Sequence, residues 1–245
     1  MICRLPLLAE QDMTTKDNFI YLTIALTTLL LSTALAQQFF DPSAQRLVQS
    51  TTVITLLSIV WGAKNEKLFL RKAFIFPVAI VLTSLGGYWL DNVNLEYAHL
   101  LLLLVFFILT AIQTTKLVML AGKVDSNKIL GAICLYLLLG LIWALIYTLI
   151  ELNIPGSFKG LKSSEHWFEL FPTFVYFSFV TLTTLGFGDI APTLPLSQFF
   201  VYFQAVCGQF YLAILVASMV GSRISAISNK HAQRFRDRYM QDQDD

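Results

Sequence analysis

Charge is scarce in this chain. Only 13% of its 245 residues are Asp, Glu, Lys or Arg, about half the share a soluble domain carries. That scarcity excludes an extended solvated surface. With a net charge of +1, it also excludes the basic face that a nucleic acid would need. Cysteine is nearly missing as well. Cys3, Cys134 and Cys207 stand at no metal-ligating spacing, and the last two sit in apolar runs where a small packing side chain is expected. His99, His166 and His231 have no partner at ligand spacing. No Ser/His pair, paired carboxylates or His-rich cluster falls in the apolar segments, so neither an enzyme nor a cofactor is expected. There is no Walker-type or dinucleotide glycine loop. No cleavable leader is read either: the first 18 residues hold Arg4, Glu10, Asp12, Lys16 and Asp17 without an apolar core.

What is present is apolar. The chain is 56% hydrophobic and contains 20 Phe. Its apolar residues collect into six runs, 19–36, 47–62, 73–90, 98–120, 129–150 and 198–220. A helix that crosses a bilayer needs about 20 mostly apolar residues. The second run is short and polar at its start, with Gln49, Ser50, Thr51 and Thr52. The expected fold is an all-α membrane protein of six transmembrane helices. Its expected parts are a cytoplasmic N-terminus (1–18), a four-helix transmembrane domain (19–122), a second unit (129–220) and a cytoplasmic tail (221–245).

Lys and Arg gather on the cytoplasmic side of membrane proteins. With six spans and the N-terminus inside, only Arg46, Lys159 and Lys162 of the 17 basic residues fall outside. This places the long connection between spans five and six on the outer face of a cell membrane, inner or plasma, with both termini cytoplasmic.

That connection carries the unusual chemistry. An aromatic run, 167–179, leads into Thr183-Thr184-Leu185-Gly186-Phe187-Gly188-Asp189. Pro172 is suited to a first helical position, so 172–182 reads as a short helix of about 16 Å, half a bilayer. Such a helix enters partway, and the chain returns as irregular backbone, which is tolerated at membrane depth only where protein buries it or it lines a watery path. Glycine accepts positive φ. Alternation between right- and left-handed backbone would turn the carbonyls of Thr184, Leu185, Gly186 and Phe187 to one side, with the Thr184 hydroxyl below them. Four copies around an axis would form stacked oxygen rings able to replace the hydration shell of K+.

At these residues the chain resembles the potassium channel family, whose filter reads Thr-Val-Gly-Tyr-Gly-Asp. Leu185 and Phe187 depart from that pattern without altering the carbonyl-bearing backbone, although Phe187 lacks the hydroxyl that tethers a Tyr ring. The resemblance covers about 129–220, as a two-span pore unit with a re-entrant pore helix and selectivity filter, and leaves out spans one to four. It implies a homotetramer in lipid that passes K+ passively. It implies ion binding at Thr184, Leu185, Gly186, Phe187 and Gly188, with K+ held at the first four. Thr183 and Asp189 then flank the filter, with Asp189 at the outer mouth. Tyr176 and Phe177 fall where aromatics pack behind the filter, and Tyr176 either hydrogen-bonds Asp189 or simply packs. Val180 stands where some relatives carry a buried glutamate. Gly208 corresponds to an inner-helix glycine that serves as a hinge or as a close-packing point. Ala213 and Ala217, four apart, would let inner helices converge into a gate.

A voltage sensor needs several basic residues in its fourth span, but 98–120 holds only Lys116, read as an interfacial lysine. Weak voltage gating is expected. The turret residues Glu151, Lys159 and Lys162 read as solvated. In the tail, Ile224, Ile227, Phe235 and Tyr239 recur at helical spacing, suited either to extending the inner helix or to lying on anionic headgroups. The alternatives to a potassium channel are a weakly selective monovalent cation channel and, with less support, a potassium transporter subunit.

Overall fold

The computed structural model describes residues 6–39, 79–80, 82–83, 86, 93–120, 126–161 and 166–244. The expected second span (47–62) lies outside the described residues, and so does the third (73–90) apart from helical positions 79–80, 82–83 and 86. Among the described residues five helices have both ends bounded: α1 (Pro6–Phe39), α2 (Val93–Leu120), α3 (Ser126–Asn153), α4 (Trp167–Leu182) and α5 (Pro195–Asp244). Four of them hold stretches long and apolar enough to cross a membrane, Phe19–Phe39, Asn94–Lys116, Ile129–Asn153 and Pro195–Ser218. Two two-residue strands, β1 (Phe158–Lys159) and β2 (Ala191–Pro192), pair antiparallel. This minimal ladder is the one departure from an all-α chain among the described residues.

The helices outrun the apolar segments, and their ends have local causes. α1 opens on Pro6, where a missing N–H costs nothing, and no Pro or Gly interrupts residues 7–18. α2 starts at Val93, with Glu96 in its first turn where the helix dipole favours an anion. α3 stops two residues short of Pro155, because the residue before a proline resists helical geometry. Its final Asn153 turns its amide Nδ2 back onto the Leu149 carbonyl at 2.7 Å. α5 also opens on a proline, Pro195, and continues unbroken for 50 residues, about 75 Å at 1.5 Å per residue. Residues 221–244 therefore continue α5.

One core joins α1 to α4. Leu22 and Leu26 of α1, Leu100 and Phe107 of α2, Leu138 and Leu141 of α3, and Phe174 of α4 lie in a single buried cluster. Polar contacts tie it together. Thr23 Oγ1 lies 3.0 Å from the buried Cys134 thiol. Tyr97 Oη donates to the Leu152 carbonyl at 3.1 Å, fixing the start of α2 against the end of α3. The rings of His99 and Trp167 are 4.8 Å apart, which brings the start of α4 to that same end. α5 differs: 11% of its spanning stretch is buried, against 50% in α3. Apolar surface in such a stretch must meet lipid or other protein.

Candidate functional site

α4 begins at Trp167, five residues before the proline expected to open it, and Pro172 lies inside it. Its first turn is anchored on His166, whose carbonyl accepts from the Glu169 and Leu170 N–H groups at 3.2 and 3.3 Å. Burial of Trp167, Phe168, Leu170 and Phe171 rewards that extra length. At 16 residues the helix is about 24 Å long, still short of the roughly 30 Å hydrocarbon core. It runs from the shared end of α2 and α3 to Leu182, which meets Tyr136 of α3 and Gly208 of α5.

The last four carbonyls of a helix have no partner within it, and here each finds one. The Phe179 carbonyl accepts the Thr183 N–H at 3.0 Å and the Thr183 hydroxyl at 2.7 Å. The Thr181 carbonyl accepts the Thr184 N–H at 3.0 Å, and that of Val180 accepts the Leu185 N–H at 3.0 Å. This nested pair is the Schellman closure, which needs a left-handed residue just past the helix cap, usually glycine. Thr184 fills that position with φ 62°. The Leu182 carbonyl accepts the Tyr136 hydroxyl at 3.3 Å.

Beyond Thr184 the left-handed residues recur at alternate positions, Gly186 at φ 57° and Gly188 at φ 78°, and no residue between them has positive φ. Thr183 to Asp189 is exposed throughout. Leu185 is 61% and Phe187 65% exposed, so within one chain this backbone lies open. Tyr176 Oη donates to Asp189 Oδ2 at 2.8 Å. Phe177 is buried, its ring 5.4 Å from Tyr147 and 5.7 Å from Phe158. Val180 is buried too.

The segment after the heptapeptide is locked to the loop that follows α3. Phe158 pairs with Pro192 and Lys159 with Ala191. The Thr193 N–H and the Ser197 hydroxyl both donate to the Ser157 carbonyl, at 2.9 and 2.8 Å. Glu151 is not merely solvated: its carboxylate accepts the Gly156 N–H at 2.8 Å and the Phe158 N–H at 3.0 Å, which folds this loop back onto α3.

A family model described as "Ion transport protein" matches residues 15–229, nearly the whole chain. The chain belongs to the ion transport protein family. It is therefore an integral membrane protein of a channel family, and its members are not enzymes. The match begins within α1 and runs past the apolar part of α5, so it takes in the residues ahead of 129 as well as 129–220. No curated protein and no solved structure matches the chain.

In this ion transport protein Gly208 is buried within an unbroken α5. A Cβ there would stand 2.8 Å from Leu182 Cδ1 and 3.0 Å from the Leu182 carbonyl oxygen, so α4 and α5 cross at this glycine. Ala213 and Ala217 are exposed on the same helix. Two groups escaped the sequence. Gly160, at φ 87°, lies directly against the Asp189 carbonyl. Gln204 of α5 hydrogen-bonds both Tyr147 of α3 and Ser178 of α4, and all three are buried. A glutamine inside an apolar helix was the available signal, since polar side chains in such helices turn inward.

Proposed function

We propose that this ion transport protein is a potassium-selective channel subunit, four copies of which surround one pore. α4 is its re-entrant pore helix and Thr184 to Gly188 its selectivity filter. The single observation that carries the reading is the positive φ at Thr184, Gly186 and Gly188, every second residue. Alternation of that kind turns successive carbonyls the same way, so Thr184, Leu185, Gly186 and Phe187 would present a column of oxygens to K+. We take the symmetry as fourfold because one chain supplies one column and an ion stripped of its water must be surrounded by oxygens. The openness of Leu185 and Phe187 and the uncovered face of α5 are consistent with partners closing around both.

The mechanism is passive. The ion enters from the outer face, where Asp189 concentrates cations and Tyr176 steadies its carboxylate. The filter carbonyls exchange for water around the ion. The C-terminal end of α4 points its negative dipole end at the cation leaving the filter. With the outer loop placed by the Lys and Arg bias, both termini are cytoplasmic, the host is a cell membrane, and α5 is the inner helix that bears Gly208, Ala213 and Ala217. No cofactor is required.

A second reading, a weakly selective monovalent cation channel, is favoured by Phe187, whose exposed ring has no hydroxyl to anchor the filter. Reversal potentials of purified protein in planar bilayers under opposed K+ and Na+ gradients separate the two. A reversal close to the K+ equilibrium potential is expected. A reversal near zero selects the weakly selective channel, and the absence of any current sinks both.

A further inference from the structure

We propose that Gln204 is a positioning residue for the filter, acting with Tyr147 and Ser178 as a polar strut that sets the pore helix against the inner helix. The proposal rests on the channel reading above and extends it to residues outside the filter.

The four hydrogen bonds involved, made by three side-chain donors, point one way. Ser178 Oγ donates to the Gly140 carbonyl of α3 at 2.7 Å. Gln204 Nε2 donates to the Ser178 carbonyl at 3.0 Å and to Ser178 Oγ at 2.8 Å. Tyr147 Oη donates to Gln204 Oε1. Backbone carbonyls can only accept, and this fixes every direction. The Gln204 amide must face Ser178 with its nitrogen, because the opposite orientation would set oxygen against oxygen. Its Oε1 is then left to the tyrosine. The chain of bonds starts and ends on α3, at Tyr147 and Gly140, and passes through α5 and α4.

Tyr147, Ser178 and Gln204 are all fully buried, so water does not compete for these bonds. The geometry leads to the filter. Ser178 and Leu182 are four apart on α4, and Gln204 and Gly208 are four apart on α5, so each pair shares a helix face. Gln204 grips Ser178 one turn above the point where Gly208 lies against Leu182. Leu182 is the last residue of α4, and the closure that puts Thr184 in its left-handed conformation follows at once. Gly140 lets α4 come this close, because any Cβ there would run into the Phe179 ring. A tilt of α5 that moves Gln204 therefore pulls on α4 one turn before the filter.

The test compares wild type with Gln204→Leu, Tyr147→Phe and the double variant as full-length channels in planar bilayers. Gln204→Leu nearly keeps side-chain volume, and the hydroxyls it abandons keep partners: Ser178 still has Gly140, and Tyr147 has the Phe200 carbonyl at 3.5 Å. Gln204→Leu is expected to lower the K+/Na+ permeability ratio or shorten the mean open time about three- to tenfold, the span that one interhelical hydrogen bond in a membrane supports. Tyr147→Phe should move the same quantities less. The double variant should match Gln204→Leu alone, because the tyrosine acts through the glutamine. Unchanged permeability ratios and open times overturn the proposal, and so do effects that multiply in the double variant. If Gln204→Leu fails to assemble, Tyr147→Phe, which removes one hydroxyl, decides on the same readouts. A wild type that passes no ions overturns the channel reading, whereas a conducting wild type with indifferent variants overturns only the strut.

Discussion

Thr184 holds a conformation that its side chain opposes. A β-branched residue at φ 62° costs about 1–2 kcal/mol in the left-handed region. Glycine there would remove that cost but would lose about 0.5–1 kcal/mol through its freer unfolded chain. Relief equals or outweighs loss, so Thr184→Gly should leave the folded protein unchanged or more stable by up to about 1.5 kcal/mol in a detergent melt. Under the proposed function the hydroxyl is the reason threonine stands there. Thr184→Gly and Thr184→Val should then both cut K+ current, the second without changing backbone preference. A Thr184→Val channel with wild-type current would show that the hydroxyl is dispensable. The glycines grade themselves by space. Gly156, Gly186 and Gly188 have positive φ with nothing near a future Cβ, whereas at Gly160 a Cβ meets the Asp189 carbonyl. Gly156→Ala should cost about 1 kcal/mol through φ alone. Gly160→Ala should cost clearly more, because a backbone atom cannot step aside. Gly186→Ala should assemble as wild type yet lose current. Equal melting temperatures for the alanine variants at 156 and 160 would contradict this ranking. The positive φ of Gly186 and Gly188 was legible from residue type. The left-handed threonine was not, because threonine is a poor predictor of positive φ and only the closure at the end of α4 demands it.

At the scale of elements, the existence of the helices was legible and their ends were not. Apolar runs mark where a chain can meet lipid, but a helix stops where hydrogen bonding stops. Hence α1 and α5 extend far beyond 19–36 and 198–220, and α4 begins at Trp167, carrying Pro172 inside. The Pro172 rule failed because four buried apolar residues ahead of it gain more from packing than one lost helical bond costs. The crossing of α4 and α5 at Gly208 carries its own prediction. Gly208→Ala places a methyl 2.8 Å from Leu182 Cδ1, which is movable, and 3.0 Å from the Leu182 carbonyl, which is not. It should destabilise the assembly by about 1–3 kcal/mol, the usual cost of overpacking. Adding Leu182→Ala should recover part of that loss by freeing the movable half of the contact. If Gly208 serves only close packing, gating should recover along with stability. If it is the bend point of the inner helix, open probability should stay altered after stability returns. No loss of stability in Gly208→Ala would remove the crossing from the account.

The whole molecule poses a question of charge. The family model covers voltage-gated-type channel domains and matches residues 15–229, yet the apolar segments ahead of α3 are almost uncharged. Within Asn94–Lys116 the only Lys or Arg is Lys116, at the very end, where a long side chain reaches toward headgroups. The runs 19–36, 47–62 and 73–90 contain neither Lys nor Arg. Moving one elementary charge through the full field is worth about 2.3 kcal/mol per 100 mV, and steep voltage gating draws on three to four such charges per subunit. One terminal lysine crosses only a fraction of the field. The expected slope of open probability against voltage therefore corresponds to less than about one charge per subunit. α1 and α2 instead share a buried core with α3 and α4, so their packing braces those two helices directly. The measurement is the limiting slope of open probability against voltage in bilayers, read beside Lys116→Gln. A shallow slope that Lys116→Gln leaves unchanged is the expected result. A slope equivalent to several charges per subunit would mean that groups other than the basic residues of these spans sense the field.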